Sequence, residues 1–310
     1  MGWVENLIRW SITSLNSQNI KIYFTIKTKV FCRIISGFFY GIVSVALLFW
    51  PTISVADEDE TRSSRDVPQP IQELFQSNLV YPQEEDEIQF TFFPSFRKDQ
   101  DSEKTRTLFE VEYGITDAFQ IIAEWDGLLY QNPEEGPTIS GLGNIELGAQ
   151  YSWMALGDGN THFSFGSLVE LPTGPVDNGL TDGFLEWNQF IILARDFPDL
   201  NQSQIFVEFG FNWVDLIRTL PEVADEEVHS LFWNVGGFFP IEQWRATLEI
   251  NGSNNQWDGG DENEIFLTPG VIYKFSNGLE LGVGTPIGFT GFSDDYRVIG
   301  YLMWEFELGE

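Results

Sequence analysis

The feature of this sequence that most constrains its fold is a two-residue alternation of apolar and polar side chains. Between Asn144 and Trp153, apolar residues occupy every second position, and polar residues or glycine lie between them. The same alternation recurs in 109–113, 119–126, 204–213 and 244–250. A helix would spread these residues around its circumference, whereas a strand sends each set to its own face. The pattern therefore predicts an all-β chain.

Twelve candidate strands follow one another between residues 87 and 308. Their expected ranges are 87–97, 106–114, 118–126, 143–154, 161–171, 184–195, 203–213, 230–239, 242–251, 263–274, 279–287 and 296–308. Short turns marked by Gly, Pro, Asn or Asp alternate with longer polar connections, such as 98–105 and 127–142. An even strand count with short turns on one rim and long loops on the other is typical of bacterial outer-membrane barrels. We therefore predict a transmembrane antiparallel up-and-down β-barrel of about 12 strands, formed by residues 87–308.

A soluble, secreted β-sandwich is the alternative fold, because it also shows alternation and regular turns. It does not explain why short and long connections alternate. Five apolar residues fall on the nominally polar face and predict some inward apolar packing: Phe190, Ile192, Phe206, Phe232 and Phe266.

Charge is unevenly distributed along the chain. The 310 residues include 16 Lys or Arg and 47 Asp or Glu, for a net charge of −31. Residues 1–56 hold five of the cations and one acid, so the remainder carries 11 − 46 = −35. This acidity argues against a nucleic-acid partner, which requires a basic surface. The 15% aromatic content argues against a disordered acidic tail.

The basic N-terminal part has the order of an export signal. Cations up to Arg33 precede an uncharged apolar run over 34–50, and small residues follow at Ser54 and Ala56. This order predicts a secretory signal peptide cleaved after Ala56. An uncleaved membrane anchor is the alternative, since the apolar run lies at the short end of a spanning helix.

Four segments follow from this assignment: an N-terminal extension over 1–27, a signal peptide over 28–56, an acidic periplasmic segment over 57–86, and the barrel. The single cysteine, Cys32, would leave with the signal peptide. The exported chain would then hold no thiol, which suits an oxidising compartment. Whether residues 57–86 enter the lumen is left open by the sequence.

The inward face of the predicted barrel is the candidate functional site. The residues expected to line the lumen and set its selectivity are Glu110, Glu112, Glu124, Glu146, Glu170, Glu208 and Glu249, with Arg245 and Arg297. A surplus of carboxylates would disfavour anions and admit cations or neutral solutes. Twelve strands lie between the filled 8-stranded and the open 16- to 18-stranded barrels, so a plugged interior is the alternative.

Neither catalysis nor a cofactor is predicted. The two histidines, His162 and His229, are far apart in the sequence, and no metal-ligand spacing surrounds them. Acidic residues cluster in two long loops: Glu222, Asp225, Glu226 and Glu227 in one, Asp258, Asp261, Glu262 and Glu264 in the other. They would either meet divalent ions at the lipopolysaccharide surface or remain solvated, and the absence of EF-hand spacing favours the second.

Two stretches resemble a known family. Residues 109–120, read as strand, tight turn and strand, and residues 141–149, which begin Gly-Leu-Gly-Asn, resemble signatures of the outer-membrane transporters of the meta-pathway phenol-degradation type. Residues 78–82 resemble that family's entry segment. The resemblance implies a barrel of about this size and a role in uptake of hydrophobic or aromatic compounds. It implies no catalytic residue.

We therefore predict a passive channel or transporter for small or hydrophobic, including aromatic, compounds in the cell outer membrane. Its expected partners are outer-membrane lipid and lipopolysaccharide, a small-molecule solute and the barrel-insertion machinery, and no nucleic acid is expected. The alternative is a non-conducting structural or surface-interaction barrel with acidic, ion-binding extracellular loops.

Overall fold

A computed structural model describes residues 67–98, 102–176, 180–181, 183–216, 229–254, 263–291, 293–294 and 296–308. The predicted N-terminal extension and signal peptide lie outside these residues. So does every acidic loop residue named above except Glu264.

The described residues form twelve long strands and two short ones. In chain order they are β1 Glu87–Lys98, β2 Ser102–Thr116, β3 Phe119–Pro133, β4 Ile139–Gly141, β5 Ile145–Leu156, β6 Thr161–Leu171, β7 Phe184–Phe197, β8 Ser203–Leu216, β9 Ser230–Ile241, β10 Trp244–Asn254, β11 Asn263–Lys274, β12 Leu279–Gly284, β13 Ile287–Gly288 and β14 Tyr296–Glu307. The short β4 pairs with β3, and the short β13 pairs with β11. One 3-10 turn, Pro198–Leu200, joins β7 to β8.

The long strands close into a barrel in which every neighbouring pair is antiparallel. Each pairs with the next along the chain, and β1 pairs with β14 from Glu87↔Glu307 to Lys98↔Tyr296. The predicted twelve-stranded barrel is confirmed. Among the described residues, closure leaves no edge strand, so the strands pair with one another all around the wall.

Strand ends differ from the prediction mainly at β2 and β3. The strand expected over 106–114 begins at Ser102, and the strand expected over 118–126 continues to Pro133. The register shifts where Thr107↔Leu128 is followed by Leu108↔Asp126, which leaves Gly127 as an extra residue. This bulge interrupts the two-residue alternation, so the sequence pattern ended there too early.

The outward face of the wall is apolar and the inward face is largely polar. Leu248 and Ile250 are 47% and 41% exposed, while Glu249 between them is fully buried. The same contrast holds around the barrel, where Trp125, Leu147, Trp213 and Trp304 point outward. An apolar belt on a closed barrel is the surface that lipid requires. The protein is thus a transmembrane β-barrel of the outer membrane. Among the described residues, no helix is long and apolar enough to cross a bilayer.

The hydrophobic core lies inside the barrel. Residues 67–86, here called the lumenal segment, run through the interior without regular secondary structure. Ile71, Leu74, Phe75 and Val80 of this segment share one buried cluster with inward wall residues, including Phe190, Ile192, Phe206 and Phe238. The inward apolar packing expected for Phe190, Ile192, Phe206 and Phe266 is confirmed, since all four are buried. The fifth residue, Phe232, is partly buried and packs against the same cluster.

A charge on the outward belt should destabilise the barrel in a depth-dependent way. Leu248 lies in the middle of β10, whereas Ile241 ends β9 beside a turn. We expect Leu248→Arg to lower the free energy of unfolding in lipid vesicles by about 2–4 kcal/mol and Ile241→Arg by about 0–1 kcal/mol. Denaturant titration, read by the shift between folded and unfolded electrophoretic mobility, measures both. Equal small losses would contradict a lipid-facing position for Leu248.

Candidate functional site

The lumenal segment enters the barrel from the rim that carries the short turns. At Asp86 the backbone N–H donates to the Gly114 carbonyl at 3.0 Å, and the Leu308 N–H donates to the Asp86 carbonyl at 2.8 Å. Toward its other end, the Pro70 carbonyl accepts from Nε of Arg245, just after the β9–β10 turn, at 2.5 Å. Arg245, a predicted lumen residue, therefore contacts the segment. Both ends of the segment therefore lie near the rim with the short turns, and its middle lies deeper in the lumen.

Two buried carboxylates bind the middle of the segment. Glu249 accepts from the backbone N–H groups of Phe75 and Gln76, at 3.0 and 3.1 Å. Glu208 accepts from the Asn78 backbone N–H at 3.2 Å and from its side-chain amide at 2.6 Å. An irregular backbone away from water needs such partners, because each buried donor left unpaired is destabilising. Glu208 and Glu249, two of the predicted lumen acids, therefore bind the lumenal segment.

Further hydrogen bonds distribute the segment's contacts around the barrel. The Gln83 side-chain amide donates to Glu112 and to Gln89, each at 2.9 Å. The Gln76 side-chain amide donates to Thr268 at 2.6 Å, and Gln150 donates to the Leu79 carbonyl at 2.9 Å. The partners lie on strands from opposite parts of the wall, so the segment crosses the lumen.

Phe75 fits into a recess made by two glycines. A Cβ added to Gly270 on β11 would lie 2.1 Å from Cε2 of Phe75, and one added to Gly284 on β12 would lie 2.5 Å from its Cγ. No side chain larger than hydrogen leaves room for the ring at either position. Phe75 is 6% exposed and anchors the segment to this part of the wall.

Tyr81 anchors the other arm of the segment through a buried polar network. Its hydroxyl donates to Asp196 at 2.9 Å, and His162 Nε2 lies 2.8 Å from the second oxygen of that carboxylate. Because His162 Nδ1 accepts from the Ala155 N–H at 3.0 Å, the ring proton is on Nε2 and is donated to Asp196. His162 is fully buried, so a solute in the lumen does not reach it.

The second histidine lies on the outside of the wall. The His229 ring stacks on Trp213 with centroids 4.3 Å apart, and its Nδ1 accepts from the Val214 N–H at 3.2 Å.

Above the segment, toward the rim with the longer connections, lies a cavity of about 990 Å³, here called the vestibule. Residues 73–78 form its floor, and Val176, Leu180 and Thr181 line it from the β6–β7 connection. Four predicted lumen residues line it: Glu110, Glu124, Glu170 and Arg297. A second cavity of about 30 Å³ lies between the segment and the wall beside Glu112, with room for about one water molecule.

Five glutamates form a single row along the inner wall. Cross-strand register joins Glu110 on β2, Glu124 on β3, Glu146 on β5, Glu170 on β6 and Glu186 on β7. Directly opposed like charges repel. Amides offset part of this repulsion: Asn144 donates to Glu170 at 2.5 Å, and Asn212 donates to Glu186.

Three cations form a second row in the adjoining part of the wall. Register joins Arg297 on β14, Arg97 on β1 and Lys104 on β2, and all three line the vestibule. Arg106 on β2 forms an ion pair with Asp126 on β3, where the basic and acidic parts meet.

Glu73 of the lumenal segment lies against the acidic wall. Its carboxylate oxygen lies within 4.8 Å of those of Glu110 and Glu112. Enclosure in the lumen, and then repulsion by Glu112, raise the pKa of Glu73 well above its usual value. A proton on this side chain therefore stabilises the inserted segment.

The nine predicted lumen residues separate into groups with different contacts. Glu110, Glu124, Glu170 and Arg297 line the vestibule; Glu112, Glu208, Glu249 and Arg245 hydrogen-bond to the lumenal segment; Glu146 lies in the acidic row. Sequence reasoning missed Lys104, because it falls in the connection expected over 98–105. It also missed Glu186, because Phe190 and Ile192 on the same face of β7 hid its polar character.

No protein-family profile matches this sequence, and no curated protein matches it. Among solved structures, the NanC porin covers 71% of this chain and 100% of its own at 9% identity, with a TM-score of 0.48. The KdgM porin covers 71% and 99% at 10% identity, with a TM-score of 0.45. The CymD monoaromatic hydrocarbon channel covers 83% and 95% at 9% identity, with a TM-score of 0.44. Function therefore has to be argued from the residues of this chain.

Removing one buried acceptor should loosen the lumenal segment. Glu208→Ala leaves the two Asn78 donors and the Asn234 amide without their acceptor. Unsatisfied buried donors cost about 1–3 kcal/mol, so chymotrypsin cleavage after Phe75 should accelerate about tenfold or more. Mass spectrometry of the folded protein in detergent measures the rate. Glu146→Ala, which removes a lumenal carboxylate from β5, is the matched control and should leave cleavage unchanged.

Proposed function

We propose that this protein is a passive outer-membrane transporter for small or hydrophobic compounds, aromatic ones included, and that it acts without catalysis. The observation that carries this proposal is the vestibule of about 990 Å³, which ends on a peptide floor rather than on the barrel wall. A cavity of this size suits a small-molecule ligand. The floor is part of the lumenal segment, which is held in place by hydrogen bonds and packing. These contacts can break while the strands of the wall stay paired.

The lumenal segment is the gate of the proposed transporter. It separates the vestibule from the short-turn rim, and its attachments are the hydrogen bonds to Glu208, Glu249 and Asp196 together with the Phe75 recess. Passage of a solute requires these contacts to open in part. The described structure is then the closed state.

The acidic row supports a preference for cations and neutral solutes over anions. Glu110, Glu124 and Glu170 line the vestibule wall directly above the gate. Carboxylates along a confined path raise the local concentration of cations and repel anions.

Two observations support aromatic and hydrophobic substrates. The resemblance of residues 109–120 and 141–149 to the meta-pathway phenol-degradation type implies such substrates. Independently, Phe93, Leu108 and Phe184 line the vestibule and offer apolar contacts to a ring.

A non-conducting barrel is the second candidate function, and the segment's anchoring favours it. The contacts made by Tyr81, Phe75 and Glu249 are buried, as are the contacts that stabilise a structural core. In that case the segment would be a permanent filling of the lumen.

A reversible cross-link distinguishes the two functions. The Asn251 amide donates to the Ser77 hydroxyl at 3.3 Å, so these two side chains meet where the lumenal segment contacts β10, and a cysteine pair there tests whether this junction has to open. In a chain also carrying Cys32→Ser, we expect Ser77→Cys with Asn251→Cys to abolish planar-bilayer conductance and liposome solute release when oxidised, and dithiothreitol to restore both. Ser77→Cys alone should conduct under either condition. Absence of conductance in the reduced protein and in the wild type would support the non-conducting barrel.

Solute release should also depend on pH. Because the pKa of Glu73 is raised in the inserted state, that state holds the proton more tightly than the released state does. Insertion is therefore fully favoured below about pH 4.3, the ordinary Glu value, and weakens as pH rises toward the raised value. Liposome release should increase as the pH rises above about 4.3 toward the raised pKa of Glu73, and Glu73→Gln should flatten the increase.

Other carboxylates face Glu73 and contribute to the same profile, among them Glu110, Glu112, Glu124 and Glu280. Glu85→Gln, at an exposed position of the same segment, is the matched control and should keep the wild-type profile. A profile unchanged by Glu73→Gln would contradict the role assigned to this side chain.

A further inference from the structure

The charges around the vestibule are segregated into two adjoining sectors of the wall. The basic sector, on β14, β1 and β2, presents Arg297, Arg97 and Lys104. The acidic sector, from β2 to β6, presents Glu110, Glu124, Asp126 and Glu170. The two sectors meet on β2, where Arg106 pairs with Asp126. A mixed distribution would cancel locally, whereas segregated charges produce a field across the cavity.

The two sectors also differ in depth. Lys104 and Glu110 both lie on β2, six residues apart, which corresponds to roughly 20 Å along a strand. The basic side chains therefore lie nearer the rim with the longer connections, and the acidic row lies nearer the lumenal segment. Charges on a ligand that contacts both would be separated by well over the few ångströms found in a single amino acid.

The wall between the charged rows is apolar in part, beside the Arg106–Asp126 ion pair. On β2, Leu108 lies between Arg106 and Glu110 on the inward face, and Phe93 and Ile299 line the cavity from β1 and β14. An elongated ligand with charged ends could place its middle against these side chains and exclude water from them.

We propose that the vestibule binds elongated dipolar solutes, of which short apolar peptides with free termini are the fitting class. The terminal carboxylate lies against the basic sector and the terminal ammonium against the acidic sector. Arg97 and Lys104 donate to the carboxylate in this assignment, while Arg297 already donates from Nε and one terminal nitrogen to Asp294. The glutamates offer acceptors to the ammonium. This assignment deepens the proposed function, on which it rests for the route that such a solute would take.

Four end-group forms of one tetrapeptide test the assignment. Ala-Phe-Leu-Ala with free ends is dipolar, its N-acetyl form is an anion, its C-terminal amide is a cation, and the doubly blocked form is neutral. Isothermal titration of the full chain in detergent should show the free peptide binding about tenfold more tightly than either singly charged form. The neutral form should bind most weakly.

Paired substitutions assign each end to its sector. Arg97→Gln with Lys104→Gln should weaken the free and N-acetyl peptides about tenfold and leave the C-terminal amide unchanged. Glu124→Gln with Glu170→Gln should weaken the free and amide forms and leave the N-acetyl form unchanged. Lys98→Gln, a cation that pairs with Glu103 outside the vestibule lining, is the control and should alter none of them.

Two outcomes would overturn the proposal. One is equal affinity of the C-terminal amide and the free peptide, because the basic sector would then hold no carboxylate. The other is equal weakening of all four forms by both substitution pairs, which would indicate a structural role only. Titration of the oxidised Ser77→Cys, Asn251→Cys protein measures binding while the lumenal segment is cross-linked to the wall. It therefore tests binding separately from passage. Binding there without release in the reduced protein would refute the transport proposal and leave the binding site standing.

Discussion

The structure depends on giving every backbone N–H and C=O a partner where water is excluded. In the wall, closure of β1 onto β14 meets this requirement with the regular ladder of a barrel. Inside, the lumenal segment has no ladder, and wall side chains replace it. Glu208 and Glu249 accept its N–H groups, while Gln150 and Ser164 donate to its carbonyls at 2.9 and 2.8 Å. Polar residues in the lumen therefore stabilise the fold, as the apolar belt does.

This requirement divides the interior into two halves. Toward the short turns, the segment fills the lumen and shares the buried cluster with inward residues such as Phe190 and Phe206. Toward the longer connections, the same polar wall faces a cavity. One inner face therefore binds a peptide at one depth and lines the vestibule at another.

Sequence pattern predicted the wall well, because alternation is a local property of each strand. It ended β3 too early at Gly127, where a bulge breaks the alternation, and it placed Lys104 in a connection. The lumenal segment could not be predicted in this way. Its residues have no periodicity, and the contact between Phe75 and Glu249 joins positions 174 residues apart. Inward apolar residues such as Phe190 indicated that something packs inside the barrel, and that partner is the lumenal segment. For the same reason, the sequence identified the lumen acids but not which of them bind peptide.

The attachment of the lumenal segment at Asp86, directly before β1, makes it an intramolecular ligand. A tethered ligand of this kind acts at a high effective concentration, of the order of millimolar for a short flexible connection. Weak individual contacts therefore suffice to keep it in place. A barrel without the segment would become a receptor for the corresponding free peptide. In the proposed transporter, its affinity for that peptide would set the fraction of time for which the gate is closed.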